Sequence, residues 1–382
     1  LWNKNIGKWG GYNPHDKVII NQGISISHLK GDLKHVAYRD TTQLLEKLVS
    51  YSDIYARTHA FQKRVSAFKI FYKTTYSFFS NYILKGGIWD GYEGLIVSAS
   101  TANGVLYKYA KLLELNRSLK VSLIITTYNR KDALELVLLS ILNQVSLPEE
   151  VIVADDGSTS DTLELIEFYQ DKFPVPLKHC WQEDKGFQLA RIRNKAIAMS
   201  SYSYIIMIDG DIVVSKYFVQ DHKKFAWKKR FIQASRVLLN ERQTQSTIET
   251  KENTINFWHR GLKNRKNAIR SSLLASLFSY FNNNIYRVRG ANLSFWRDDA
   301  IRINGFNEDF LGWGREDSEF VVRMKNAGIR KFHLKFAGLG YHLYHQESSR
   351  ELLPQNQTIL DNAIQDQSTW CKNGLDKYLS NL

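Results

Sequence analysis

Cysteine and proline are scarce in this sequence. Two cysteines in 382 residues, Cys180 and Cys371, allow one bridge at most and no closely spaced zinc-ligand pair, which excludes a disulfide scaffold and points to a reducing compartment. Five prolines and twenty-two glycines without a repeating period exclude collagen-like and low-complexity chains. No apolar run approaches the ~18–20 residues needed to cross a bilayer. The opening Leu1-Trp2-Asn3-Lys4 carries neither an initiator methionine nor a signal-peptide pattern, so Leu1 is expected not to be the biological start. Glycine-rich phosphate loops are missing too: neither GxxxxGK[ST] nor GxGxxG opens a helix. A phosphorylated ligand would have to be held by a metal ion and side chains.

What is present is ordinary globular material, 43% hydrophobic and 24% charged, and long enough for two or three packed units at the usual ~100–200 residues each. Fifty-two Lys+Arg against thirty-eight Asp+Glu leave a net charge of +14, which favours an anionic partner: nucleic acid, acidic lipid or a phosphorylated small molecule. Sixteen of the basic and eight of the acidic residues fall in the first 118 positions. Between 54 and 89 there is no acidic residue, while Lys63, Arg64, Lys69, Lys73 and Lys85 alternate with aromatics. Phe61, Val65, Phe68, Tyr72 and Phe79 fall near one helical face. Such a helix either lies in the headgroup region of an anionic membrane or packs its stripe on the next domain.

After Asn116-Arg117-Ser118 the pattern changes to short apolar runs separated by helical stretches, as β-α-β units require. Strands are predicted at 121–125, 151–154 and 204–208, with a helix at 131–144. The second strand ends on Asp155-Asp156-Gly157-Ser158 and the third on Asp209-Gly210-Asp211. Both acidic pairs therefore sit at carboxyl ends of strands, the edge where open α/β sheets bind ligands. Two carboxylates flanking a glycine suit a hard divalent cation whose remaining ligands are a substrate's phosphates. Asp155-Asp156-Gly157 also reads as plain turn chemistry. Positions 240–285 are polar and basic and read as a long excursion. Beyond them, Gly312-Trp313-Gly314-Arg315-Glu316-Asp317-Ser318-Glu319 crowds three carboxylates at a probable helix start. Its glycines free the backbone to bend near a ligand, its indole offers a sugar-binding face, and an adjacent carboxylate suits a general base. His342 and His345 come next, and His345 could add an imidazole to the same cation.

Taken in order, Ile125-Thr126-Thr127-Tyr128-Asn129-Arg130, Asp155-Asp156-Gly157-Ser158, Asp184-Lys185-Gly186-Phe187-Gln188-Leu189-Ala190-Arg191-Ile192-Arg193-Asn194 and Asp209-Gly210-Asp211 resemble the nucleotide half of GT-A glycosyltransferases of family 2. Arg289-Gly290-Ala291-Asn292, the Trp313 segment and Tyr344-His345-Gln346-Glu347 resemble a galactosyltransferase-type carboxyl half, as in the N-acetylgalactosamine-transferring half of bacterial chondroitin polymerases. Residues 1–118 are similar to the tail of lipopolysaccharide-core β-glucosyltransferases, on Trp9-Gly10-Gly11-Tyr12-Asn13-Pro14-His15-Asp16-Lys17, His28-Leu29-Lys30-Gly31-Asp32-Leu33 and Lys85-Gly86-Gly87-Ile88-Trp89-Asp90-Gly91-Tyr92.

The resemblance implies an α/β GT-A fold, a mixed sheet flanked by helices and preceded by a smaller helix-rich segment. It implies that Thr127, Tyr128, Arg130, Asp156, Lys185, Arg193 and Asp209 bind the nucleotide, that Asp209, Asp211 and His345 hold Mn²⁺ or Mg²⁺, that Trp313, Glu316 and Asp317 bind the acceptor, and that Asp317 is the catalytic base. The expected segments are 1–118, a basic helix-rich tail and membrane-docking candidate; 119–239, the nucleotide-sugar half; 240–285, a polar insertion; 286–350, the acceptor half; and 351–382, a helical tail. The expected activity is inverting transfer of a hexose or N-acetylhexosamine from a UDP-sugar to a glycan or glycolipid acceptor of the bacterial surface, lipopolysaccharide or capsule, in the cytoplasm at the inner face of the plasma membrane. Two departures stand out. Gln233-Ala234-Ser235-Arg236 is followed by Val237 and so lacks the processive-synthase signature, and Arg315 replaces a glycine usual in the tryptophan segment. The rival reading is a basic nucleic-acid- or membrane-binding protein without catalysis. No nucleic-acid motif supports it, and no nucleic-acid partner is expected.

Overall fold

The runs at 121–125, 151–154 and 204–208 lack the polar alternation of a half-wet sheet, so they are stable only with both faces covered. The computed structural model describes residues 3, 5–12, 15–27, 31, 39–251, 254–286, 288, 290–346 and 349–379. Leu1, Trp2, Lys4, Asn13, Pro14, His28, Leu29, Lys30, Asp32, Leu33, Arg289 and Glu347, which carry parts of the sequence motifs, lie outside those described. The chain forms two compact units, Leu1–Leu119 and Lys120–Leu382.

In the first unit, β1 (Gly7–Tyr12) and β2 (His15–Ile20) pair antiparallel, and α1 (Thr41–His59), α2 (Ala67–Phe79) and α3 (Gly91–Arg117) come after them. Asp40 caps α1 by accepting from the Gln43 N–H at 2.8 Å, and Ser66 caps α2 by accepting from the Lys69 N–H at 3.2 Å. That second cap corrects the aromatic stripe. Phe61 and Val65 lie before it, in the link between helices, and the Phe61 N–H is held by Asn116 at 2.7 Å. The helix proper carries Phe68, Tyr72 and Phe79, all exposed, and buries no side chain.

The second unit runs β3 (Val121–Thr127), α4 (Lys131–Leu142), β4 (Glu150–Asp155), α5 (Ser160–Gln170), β5 (Leu177–Trp181), α6 (Leu189–Met199), β6 (Tyr204–Asp209) and β7 (Ile212–Val214). It continues with α7 (Phe218–Phe225), β8 (Arg230–Ala234), β9 (Arg236–Leu239), α8 (Glu241–Thr250), β10 (Leu262–Lys263), α9 (Ser272–Phe278), β11 (Tyr280–Phe281), β12 (Asn292–Trp296) and α10 (Arg297–Arg302). Last come α11 (Glu316–Asn326), β13 (Arg330–Leu334), β14 (Gly340–His342), α12 (Leu353–Gln365) and α13 (Asp376–Leu379). One sheet has the order β11-β13-β8-β12-β6-β3-β4-β5, and a smaller one the order β10-β9-β14-β7. The stretch β6-β3-β4-β5 is parallel, while β12 runs against both β6 and β8. Leu123, Ile124, Ile152, Ile206 and Met207 have no exposed surface, so the central strands are covered on both faces.

Two registers place the site. Thr127 pairs with Asp155 and Thr126 with Asp209, so β3, β4 and β6 end on one edge. The chain steps outward from β3 to β4 and β5, then returns to lay β6 on the opposite flank of β3, and this reversal opens a crevice at the carboxyl ends. Asn292 pairs with Ile208, which brings the start of antiparallel β12 to the same edge.

The polar stretch 240–285 is not an open excursion. It contains α8 and α9, capped by Asn240 and Ser271, with Thr244, Thr247 and Ala275 buried. The Thr244 hydroxyl accepts from the Tyr344 N–H at 2.8 Å and so fixes the segment that carries His345.

Candidate active site

The Asp209-Gly210-Asp211 turn divides its two carboxylates between two groups. A Cβ at Gly210 would lie 2.8 Å from the Thr126 carbonyl oxygen, so only glycine lets the turn press against β3. Asp211, facing the small sheet, meets the two histidines because His342 pairs with Ile212 and the Leu343 N–H bonds the Asp211 carbonyl at 3.0 Å. His342 Nε2 lies 3.7 Å from Asp211 Oδ1, and His345 Nε2 lies 3.4 Å from Oδ2. These three residues offer ligand atoms within 4.8 Å of one another. Burial pushes the Asp211 carboxyl up, against Arg130 and His345, and pushes the His342 imidazole down, which leaves that ring neutral and free to ligate. Asp211 Oδ1 is buried without a hydrogen-bond donor. A carboxylate with one orphaned oxygen and an imidazole near each of its two oxygens fits a divalent cation by its donor set. His342, one register position from Asp211, completes a set in which the sequence singled out only His345; its signal was the His-x-x-His spacing after a short strand.

Asp209 lies outside that group. Its Oδ1 accepts from the Thr126 hydroxyl at 3.0 Å and from Arg193 Nη2 at 3.3 Å, which turns it toward the main sheet. Arg193, 1% exposed in the middle of α6, is the hub of a second group, with Nη1 2.7 Å from Asp317 and 3.5 Å from Glu316. Asp317 also accepts from the Gly290 N–H at 2.6 Å. A Cβ at Gly290 would stand 2.4 Å from both Arg193 Nη2 and Asp317 Oδ1, so this glycine is needed for close approach, a role its position in the sequence did not disclose. Burial first, and the neighbouring Asp317 second, push the Glu316 carboxyl up to about 8 against the pull of Arg193. Glu319 takes no part: it pairs with buried Arg323 at 2.6 Å and serves the core.

Around the nucleotide-half residues, Asp155 does the turn chemistry, accepting from the Ser158 N–H at 2.8 Å, and leaves Asp156 to face the crevice. Asp156 is held by the Gln182 amide and the Gln188 N–H, and burial lifts it to about 6. Thr127 Oγ1 is buried without a partner. The Tyr128 hydroxyl donates to Asp184 at 2.9 Å, and Arg130 Nη1 donates to Asp211 at 2.9 Å. Lys185 is exposed and pairs with Glu183 at 2.9 Å, so the structure does not bring it to the others. Trp313 is half-exposed beneath the Arg350 guanidinium, 5.4 Å away. Its loop is tied to the 184–188 loop by the Gly312 N–H to the Phe187 carbonyl at 3.2 Å, and to α12 by Asn356 bonding the Leu311 carbonyl at 3.0 Å. Arg315, the departure from glycine, has a φ of 77° and heads α11 from the left-handed region.

Residues 122–288 match glycosyl transferase family 2, and residues 272–346 match the N-terminal domain of galactosyltransferase. The chain is 27% identical over 252 residues to the chondroitin synthases of Pasteurella multocida (strain Pm70) and of Escherichia coli, 59% of this chain in each case and 25% and 34% of theirs. It is 26% identical over 234 residues to the validoxylamine A glucosyltransferase of Streptomyces hygroscopicus subsp. limoneus, 55% of this chain and 48% of that one. The chain thus spans between a quarter and a half of the length of these relatives.

Proposed function

We propose, on the match of residues 122–288 to glycosyl transferase family 2 and of residues 272–346 to the N-terminal domain of galactosyltransferase, that the chain is an inverting, metal-dependent transferase of the GT-A type. It moves a hexose or N-acetylhexosamine from a UDP-sugar to a bacterial surface-glycan acceptor, lipopolysaccharide or capsule, and forms a β-glycosidic bond. The observation that carries the reading is one turn, Asp209-Gly210-Asp211, feeding a cation-type group on one side and a buried arginine–carboxylate group on the other.

In this reading Thr127, Tyr128 and Asp156 receive the uridine, and the unpartnered Thr127 hydroxyl is the group with capacity to spare. Asp211, His342 and His345 would hold Mn²⁺ or Mg²⁺, which when bound supplies Lewis-acid offset of the charge on a departing diphosphate. Trp313 offers an apolar face to the acceptor ring. Glu316 and Asp317 divide the acid–base work by environment. At neutral pH Glu316, lifted to about 8, keeps its proton and donates to a sugar oxygen, while Asp317 is the base. Arg193 and the Gly290 N–H fix the orientation of Asp317. Asp317 takes the acceptor hydroxyl proton as that oxygen bonds to the anomeric carbon; the bond from that carbon to the diphosphate breaks, and UDP leaves with the electron pair.

The test is turnover of radiolabelled UDP-glucose, UDP-galactose and their N-acetylhexosamine counterparts on surface-glycan acceptors, with and without chelator. One donor is expected to turn over, EDTA to abolish turnover, and Asp317→Asn to lower kcat by about 10²–10⁴-fold with UDP still bound. Turnover indifferent to EDTA, or unchanged in Asp317→Asn, defeats the assignment. Cytoplasmic work at the inner face of the membrane completes the proposal. Among the described residues no helix is long and apolar enough to cross a bilayer; in this reading contact with the membrane falls to the basic, aromatic first unit.

A further inference from the structure

Arg130 stands between two demands of opposite charge. It heads α4, directly after Asn129, which takes the left-handed region at a φ of 47°. From there its guanidinium reaches Asp211 Oδ2 at 2.9 Å and the Tyr344 carbonyl at 3.4 Å. It thereby spans the two segments that supply Asp211 and His345, and His345 Nε2 approaches the same Oδ2 at 3.4 Å. Oδ1, by contrast, has no donor. The Arg130 side chain is 32% exposed, so it has room to move, whereas that of Asp211, 11% exposed, does not.

With no ligand, Arg130 and Asp211 neutralise each other. A dication held by Asp211, His342 and His345 would share the Asp211 carboxylate with the guanidinium bonded to it, and the two like charges would repel. A diphosphate removes that conflict, because its oxygens accept from the planar fork of Arg130 while they face the cation.

We infer that Arg130 is the charge-balancing, positioning residue of this site: it acts as the counter-ion of Asp211 in the free protein, opposes entry of a cation alone, and transfers its guanidinium to the donor's diphosphate when nucleotide and cation enter together. Cation and nucleotide then bind with positive coupling, which by linkage is the same whichever arrives first. The inference rests on the proposed nucleotide–metal reading of the site.

Its test reads binding, not turnover. Mn²⁺ is titrated into the full 382-residue chain, with and without saturating UDP, and free Mn²⁺ is followed by its paramagnetic resonance signal. In the wild-type protein UDP tightens Mn²⁺ binding by roughly 10–100-fold. Arg130→Met binds Mn²⁺ alone about tenfold tighter than wild type, and UDP adds only a few-fold, about 1 kcal/mol or less. Arg130→Lys keeps the charge without the fork, so it retains weak binding of Mn²⁺ alone and regains part of the coupling. Its ligand-free behaviour separates charge from loss of fold. Arg130→Met with Mn²⁺ affinity equal to or weaker than wild type, or with undiminished coupling to UDP, overturns the inference while the site reading stands. A wild-type chain that takes up no Mn²⁺ even with UDP overturns both.

Discussion

Glu316 and Asp317 are adjacent in sequence and chemically similar, yet burial and a shared arginine set them apart. Because the folded-state pKa of Glu316 is raised from 4.5 to about 8, the native protein binds that proton more tightly than the unfolded chain does. The stabilisation is therefore fully present below pH 4.5 and is lost as pH rises through about 8. Glu316→Gln, which is neutral at every pH, is expected to flatten this dependence: its melting temperature relative to wild type should climb between pH 5 and 8, read by calorimetry. A constant difference across that range would mean that Glu316 is ionised throughout. That Glu316 and Asp317 are two carboxylates at a helix start was legible in the sequence. That Arg193, 124 positions away along the chain from Asp317, lies 1% exposed between them was not, because such a contact is made only when α6 and α11 enter one buried cluster.

At the scale of elements, the site exists because strands end together. Apolar runs without alternation announced β3, β4 and β6, and glycine–aspartate pairs announced where β4 and β6 stop, so the edge that carries the site could be read in advance. The small sheet could not: β7 and β14 are three residues each, too short to show a period, yet their register sets His342 beside Asp211. Nor could α8, where buried Thr244 and Thr247 replace the apolar stripe by which a helix is normally recognised. Close approach makes its own prediction. In Gly290→Ala the new methyl meets Arg193 and Asp317 at 2.4 Å, and overpacking of this kind costs about 1–3 kcal/mol; chemical denaturation should show that loss together with strongly reduced turnover. Gly186→Ala, at a φ of 78° with open space around it, carries only the left-handed penalty of about 1–2 kcal/mol and should keep the Arg193 group intact. Equal loss of turnover in the two variants would remove the steric argument.

Across the whole molecule the charge is unevenly spread, and so is exposed apolar surface. Sixteen basic against eight acidic residues fall in the first 118, where Phe68 and Trp89 are 78% and 88% exposed. Aromatic rings standing in water beside Lys69, Lys73 and Lys85 suit an anionic lipid surface, where a buried ring contributes up to about 2 kcal/mol and each lysine about 1. The sequence held this surface open between membrane and domain packing. The rings of α2 are exposed and bury nothing within their own unit, and binding to vesicles decides between the two. Vesicles containing acidic phospholipid are therefore expected to sediment with the chain at low ionic strength and to release it as salt rises and the Debye length falls. A Phe68→Ser, Trp89→Ser double variant, altered only at exposed positions, should bind at least about tenfold more weakly with an unchanged melting temperature. Because Lys120–Leu382 is a compact unit in itself, that fragment should bind UDP and leave the vesicles in solution. Adsorption that is equal on neutral vesicles, indifferent to the double substitution, or retained by the fragment would assign the exposed rings to some other partner.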